Sequence, residues 1–346
     1  MDKYIGMDVH ATSTTMVVVS PTGRRLGKYV VETNGHALVE QLLALSGRRH
    51  VCLEEGTQSA WLYEVLSPHA HEVVVVAPTK SAGQKNDEAD AYRLAEQLRA
   101  GTIERRVFKE QGEFKRLREL SRTHRMLVED VVRVKNRLKS MYRSRGVPCP
   151  GETAYTEKGR ETLLESLPVA TREAAELLYT QYDGTEEVRR RAEKDLIKEA
   201  KRHSAYRILC TCPGLGPIRV AQMLSVVISP NRFRTKRQFW SYCGLSIVMR
   251  SSSDWVRRGE GSWQRVEVNK TRGLTRSHNR TLKSVFKGAA MTVIQHGEEI
   301  PLKKDYQRCL KAGTKPPMAA LTLARKIAAI ALSMWKSNKE YDAKME

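Results

Sequence analysis

Four acidic residues in this chain are spaced as though to act together. Asp87 and Asp90 lie three apart in Lys85-Asn86-Asp87-Glu88-Ala89-Asp90-Ala91-Tyr92-Arg93-Leu94. This stretch reads as the first turns of a helix, so the two carboxylates share one face. Ala91, Leu94 and Ala95 mark its buried side. Taken alone, acids in a first turn simply suit the helix dipole. Two upstream acids change that reading. Asp8 falls inside the short strand pattern of residues 4–9, and Glu54 ends the strand pattern Val51-Cys52-Leu53-Glu54. Unpaired acids are rarely buried in core strands. Carboxylates gathered there, with no basic partner in the strands, are costly unless metal ions neutralise them. Hard oxygen ligands favour Mg²⁺ or Mn²⁺. A pair of such ions suits phosphodiester chemistry, because it stabilises both the attacking and the leaving oxygen.

The elements around these acids give them a common frame. Residues 4–9, 14–19 and 27–31 are strand patterns so close together that they predict an antiparallel meander, with a turn at Pro21-Thr22-Gly23. Asn34 caps a helix through Leu38, Leu42, Leu43 and Leu45. After strand 51–54, Ser59 opens a helix through Trp61, Leu62 and Val65. Glu72-Val73-Val74-Val75-Val76 reads as a buried parallel strand. A loop with Pro78, Lys80 and Lys85 leads to the helix that starts near Asp87. The order β-β-β-α-β-α-β-α is the ribonuclease-H-like arrangement. In it Asp8, Glu54, Asp87 and Asp90 converge at one edge of the sheet.

Composition points to the partner. The 346 residues carry a formal net charge of +21, and 40% of them are hydrophobic. That supports sizeable cores in two or three domains, and a polyanion, most simply nucleic acid, as ligand. An anionic membrane is the rival, but no segment reads as a span: the most apolar region, 318–335, is interrupted by Arg325 and Lys326. The N-terminus begins with a strand pattern rather than a signal peptide. Six scattered cysteines, with Cys210-x-Cys212 lacking a matching pair, are expected as reduced thiols in a cytoplasm.

From residue 112 to about 145 the chain reads as one long helix, with Leu117, Leu120, Leu127, Val131, Val134, Leu138 and Met141 on a narrow stripe. Arginines and lysines, Arg133 and Arg137 among them, crowd its other faces, and Pro148 and Pro150 end it. Further helices are expected over 161–182 and 186–201, broken at Asp183-Gly184. Such helices suggest an antiparallel coiled coil whose basic face meets nucleic-acid backbone. Cys212-Pro213-Gly214-Leu215-Gly216-Pro217 between two helical patterns resembles a helix-hairpin-helix, whose backbone N–H groups at Gly214 and Gly216 could hold a DNA phosphate. An ordinary joint between helices would use the same residues. The aromatics of residues 233–245 are expected to pack, with Arg and Lys outward. Arg250-Ser251-Ser252-Ser253-Asp254-Trp255 reads as a loop, and spacing singles out none of its serines. Arg257, Arg258, Arg265, Lys270, Arg272, Arg276, His278, Arg280, Lys283 and Lys287 form the densest basic run, read as phosphate clamps or as a solvated face. Two apolar helices, 285–296 and 317–335, would close the chain. His10, His69 and His71 lack partners at ligand spacing and are expected to be structural.

The set Ile5-Gly6-Met7-Asp8, Cys52-Leu53-Glu54 and Lys85-x-Asp87-x-x-Asp90-Ala91 resembles the DEDD-type transposases of bacterial insertion sequences related to the Piv invertase, and the likeness covers nearly the whole chain. It implies an α/β plus α fold. A ribonuclease-H-like (RuvC-like) domain would span residues 1–108, a coiled-coil region 109–202, and a mainly helical serine domain with a helix-hairpin-helix 203–346. Asp8, Glu54, Asp87 and Asp90 would be the metal-binding acids, with Glu55 a one-residue alternative to Glu54. Matching from Gly244-Leu245 lands the nucleophile on Ser252, with Ser251 and Ser253 as alternatives; where the family often has glycine after its serine, Ser253 and Asp254 follow here. The acids and the serine would form one composite site. Attack by the metal-activated serine would give a phosphoserine link to a DNA end and free a 3′-hydroxyl. The implied partners are DNA at the element ends and target, a structured guide RNA encoded in the element's flank, and further copies of the chain in a dimer or tetramer. Rival expectations are a metal-dependent nuclease or Holliday-junction resolvase that uses water, and a non-catalytic nucleic-acid-binding protein.

Overall fold

Alternation along the first strand decides how the N-terminal unit is layered. In the computed structural model, which describes residues 1–78, 86–103, 106, 112–249, 255–259, 261–265, 271–296 and 300–343, the chain divides into units of residues 1–110 and 111–346. The first contains β1 (Asp2–Val9), β2 (Ser13–Val19), β3 (Arg25–Glu32), α1 (Gly35–Leu43), β4 (Arg48–Glu54), α2 (Ser59–Leu66), β5 (Glu72–Val76) and α3 (Asp87–Arg99). The strands pair in the order β3-β2-β1-β4-β5. The first three are antiparallel, and β4 and β5 run parallel to β1 and to each other. This is the element order and strand sense expected above. Ile5 and Met7 point to one face, where they pack with Val51, Leu53, Leu38, Leu42, Leu62 and Leu66. Cys52, Val74 and Val76 lie on the other, under Leu94 and Leu98 of α3. Both faces of the central strands are covered, which is why they read as nearly continuous apolar runs.

The second unit begins with α4 (Lys115–Ser144), α5 (Glu157–Glu165) and α6 (Val169–Ala200). The stripe on α4 meets α6: Val131, Val134, Leu138 and Tyr142 pack with Ala175, Tyr179 and Tyr182, while Leu117 shares a core with Leu196. Low numbers on one helix meet high numbers on the other, so the pair is antiparallel. The expected break at Asp183-Gly184 does not occur. α6 runs through it, and the chain breaks instead at Leu167-Pro168, before the helix. Gly184 has nothing within 4 Å of where a Cβ would stand, and Asp183 accepts two hydrogen bonds from Arg160, at 2.7 and 2.5 Å. A single exposed glycine costs about 1 kcal/mol in a helix, too little to end one of this length.

The remainder comprises α7 (Ala205–Cys210), α8 (Pro217–Val227), α9 (Lys236–Tyr242), β6 (Ile247–Met249), β7 (Trp255–Arg258), β8 (Ser262–Arg265), β9 (Thr271–Leu274), α10 (Arg280–His296), α11 (Pro301–Lys311) and α12 (Pro316–Ser337). Its core joins Leu209, Val220, Leu224, Phe239, Phe286, Ile327 and Met334. The aromatics of 233–245 pack as expected: Phe233 and Phe239 are buried, and Trp240 Nε1 donates to Arg325 O at 2.8 Å. α11 is an addition to the expected pattern, buried only through Leu302. The short strands are additions too, β6 pairing with β9 and β7 with β8. α12 is long and apolar enough to cross a membrane, but half of its apolar window is buried in this core. Its Arg325 Nε donates to Leu245 O at 2.6 Å, and Lys326 pairs with Asp305.

Candidate metal centre

Strand parity places the acids. In the parallel pairing of β1 with β4, Gly6 stands opposite Cys52 and Met7 opposite Leu53. The next step along both strands is Asp8 beside Glu54, on the same face as Gly6 and Cys52. That face is covered by α3, and Gly6 is what lets the helix approach. A Cβ there would sit 1.8 Å from Ala91 O and 2.6 Å from Ala95 N. The start of α3 is fixed in turn. Asn86 caps it by accepting from Glu88 N at 3.0 Å, and Glu88 pairs with both Arg25 and Lys28 of β3, each at 2.5 Å. These contacts bring Asp87 and Asp90 to the strand end where Asp8 and Glu54 lie.

The four acids resolve into two pairs, each bridged by a base. His10 Nε2 lies 3.4 Å from Asp8 Oδ2 and 3.3 Å from Asp87 Oδ2. Arg93 Nη2 donates to Glu54 Oε1 at 3.0 Å and to Asp90 Oδ1 at 3.2 Å. The Asp8 carboxyl is held above the usual range, first by burial and then by the negative charges of Asp87, Asp90 and Glu54, against the opposing pull of His10. Arg93 is raised; burial is the largest single influence and works against this, but the hydrogen bonds to Glu54 and Asp90 outweigh it. Glu55, the alternative to Glu54, is exposed, with its backbone N–H bonded to Val76 O.

His10 corrects the expectation that it is structural. Asp8, His10 and Asp87 each offer one ligand atom, all within 4.8 Å of one another. Ligands about 2.1 Å from an ion and a right angle apart stand about 3 Å from each other, close to the observed His10 separations. The residues therefore fit a divalent cation. The spacing Asp8-x-His10 at a strand end was the available signal, since residues two apart share a face. Arg93 was also missed, although Asp90-x-x-Arg93 is a helical neighbour spacing.

The other anticipated residues fall in several places. Arg133 and Arg137 line a hollow of about 580 Å³ between α4 and α6, together with Gln181 and Gly184, and Arg133 also pairs with Asp130. Gly214 has φ +81, and a Cβ on it would meet Ala289 O of α10 at 2.4 Å. Its carbonyl accepts from the half-buried Arg219 at 2.9 Å, so packing inside the unit accounts for this glycine. Gly216 caps α8 in extended backbone. Arg280 lines an open hollow of about 420 Å³ with His278, Lys283 and Lys287. Arg257 is exposed on β7. Lys85, Lys270 and the serines Ser251, Ser252 and Ser253 lie outside the described residues, as do the side chains of Arg258 and Arg272.

Known proteins share both parts of the chain. A family model for IS110-type DEDD transposases matches residues 5–144, and one described as the transposase IS116/IS110/IS902 family matches residues 206–307. Two relatives come from Sinorhizobium fredii. "Putative transposase y4pF/y4sB" is 23% identical over 285 residues, covering 80% of this chain and 70% of the relative. "Putative transposase y4qE" is 22% identical over 277 residues, covering 74% of this chain and 66% of the relative. With both transposase models matched and more than two thirds of its length inside them, the chain is a DNA transposase of the IS110 family.

Proposed function

We propose that this transposase cuts and rejoins DNA strands through a covalent serine–phosphate link, using a divalent ion held at the acid edge of a ribonuclease-H-like domain. The observation that carries the reading is the convergence of Asp8 Oδ2, His10 Nε2 and Asp87 Oδ2 on one small space. Asp8, Asp87 and His10 would hold the ion, and Glu54 and Asp90 complete the acid set once their charges are no longer engaged by Arg93. When bound, Mg²⁺ or Mn²⁺ would supply Lewis-acid neutralisation of the scissile phosphate. Ser252 Oγ, the chosen nucleophile among Ser251, Ser252 and Ser253, forms a bond to phosphorus as the bond to the 3′-oxygen breaks, and its proton ends on the freed 3′-hydroxyl. One phosphodiester is exchanged for another, so rejoining needs no external energy source. The antiparallel α4–α6 pair serves as a basic coiled-coil arm, and residues 203–346 as the serine domain. An element-encoded RNA guides the reaction, and a dimer or tetramer joins the two DNAs. The net charge of +21 and the basic hollows on the second unit support nucleic-acid partners.

The test is a trap for the covalent adduct. The protein is purified with RNA transcribed from its native flanks, then given Mg²⁺ and DNA spanning the element ends. Wild type, Ser252→Ala and Asp87→Ala run side by side on a denaturing gel. An adduct in wild type alone is the expected result. Free cleaved DNA from both wild type and Ser252→Ala, with no adduct, would replace this reading with a metal nuclease or junction resolvase. No cleavage by wild type, with binding unchanged in Asp8→Ala, would leave a non-catalytic binding protein.

A further inference from the structure

The hairpin of β7 and β8 presents a pattern that its own fold does not use. Trp255 pairs with Arg265, Val256 with Gln264, Arg257 with Trp263 and Arg258 with Ser262. Residues two apart on a strand, and residues directly paired across an antiparallel ladder, share a face. Trp255, Arg257 and Trp263 therefore stand on one side of the ribbon, with the arginine opposite one indole and two residues from the other. Both indoles are open to solvent, Trp255 at 60% and Trp263 at 62% exposure. Trp240 and Trp335, by contrast, pack against the core of the same unit. Among the described residues the ribbon forms a two-stranded sheet of its own. A ribbon of this size is marginal in isolation, and indoles this open bury little surface against the rest of the unit. The turn is drawn tight by Gly259 and Gly261, both at positive φ, with Gly261 N donating to Gly259 O at 2.7 Å. Trp255, Val256, Arg257 and Trp263 are all exposed, as the side chains of a reading element must be.

We propose that this face is a stacking platform for unpaired bases of a DNA strand. Indoles stack on any base, and an arginine between them reaches the phosphate or stacks in turn. Diagonal partners on a ladder stand about 7–8 Å apart, which leaves room for one base sandwiched at the usual stacking distance of about 3.4 Å on each side. Charge selects the occupant. A second copy of this chain, at +21, would bring like charge against Arg257, whereas a nucleic-acid strand brings the opposite charge. DNA is the strand that a transposase opens. The inference stands on the ribbon alone and does not need the serine or the metal assignment.

The test uses the full chain and a short fluorescein-labelled single-stranded DNA of mixed sequence, read by anisotropy. Trp255→Ala and Trp263→Ala should each weaken binding about 10-fold while leaving its salt dependence unchanged. Arg257→Ala should lower the slope of log affinity against log salt by about one. Trp255→Phe with Trp263→Phe should keep most of the affinity but lose most of the tryptophan quenching seen when wild type binds. Unchanged affinity in alanine variants whose circular dichroism matches wild type would overturn the proposal, as would quenching that survives in the double phenylalanine variant. A loss seen with RNA of the same sequence but not with DNA would overturn the assignment to DNA. A loss seen only with phosphatidylserine–phosphatidylcholine vesicles would move the face to a membrane and overturn it altogether.

Discussion

Asp8 and Glu54 are positioned by a parallel register, so one step of slippage between β1 and β4 would put them on opposite faces. Arg280, Lys283 and Lys287 are positioned by helical repeat on α10 and face an open hollow. The acids need a face, a strand end and a helix approach through Gly6 to reach the same end of the sheet, and Asp8, His10 and Asp87 come within ligand distance of one another there. The cations need only to lie on the same side of one helix. The contrast follows from what each group binds. Coordination of a small ion falls off within tenths of an ångström, whereas attraction to phosphates acts over about 10 Å at ordinary ionic strength. The acid edge should therefore be brittle and the basic face forgiving.

Gly6→Ala should show this contrast most strongly. Its methyl would enter the backbone of α3 at Ala91, and the expected cost is about 3 kcal/mol in urea unfolding, together with loss of Mn²⁺ binding in calorimetric titration. If stability and metal binding both survived, the close approach of α3 would not be what builds the site. Next comes Arg93→Ala, which removes the bridge between Glu54 and Asp90. These side chains are about a third exposed or less. Screening should hold the loss of stability to about 1 kcal/mol, while Mn²⁺ affinity rises because the two acids no longer share a fixed cation. A fall in Mn²⁺ affinity would instead make Arg93 part of the binding geometry.

Asp8→Asn tests the same edge by pH. The folded pKa of Asp8 is raised, so its ionised form is less favourable in the fold than in the unfolded chain. Asn should therefore stabilise the protein at neutral pH. The gain should shrink as pH falls through the folded pKa and vanish below the unfolded value, since both forms are then neutral. Thermal melts across that range read it directly, and a gain that grows on acidification would reverse the electrostatic account. The smallest effect is expected at Lys283→Ala, where duplex DNA affinity should drop only a few-fold and the salt slope by about one. A loss of several orders of magnitude there would show that the basic face is as exacting as the acid edge.

Much of this was legible beforehand, for particular reasons. The five strands of the first unit are short apolar or alternating runs between turn and helix signals, with Asp8 and Glu54 at defined positions within them, and those runs indicate element order and strand sense. The stripe on α4 likewise announced its partner. His10 reads as structural because it lies just past the strand with no ligand-spaced partner near it in sequence, although Asp8-x-His10 carries the signal. Arg93 was visible as a helical neighbour of Asp90, but its reach to Glu54 crosses 39 residues of sequence. The break expected at Asp183-Gly184 failed because local propensity is weaker than the packing on either side of it. α11 and the four short strands of the second unit escaped because few of their described side chains are buried, and periodicity is legible only where burial enforces it.

The acids, the strand order, the long helical pair and the basic character of the second unit are all readable from the residues in order. Each of these is written in local pattern, in alternation, heptad-like stripes and charge. The folded arrangement alone divides the four acids into Asp8–Asp87 around His10 and Glu54–Asp90 around Arg93. It alone also set Trp255, Arg257 and Trp263 on one open face. The reason is that a side chain's charge is fixed by its own chemistry, while its partner is fixed by register and by the approach of elements distant in the chain.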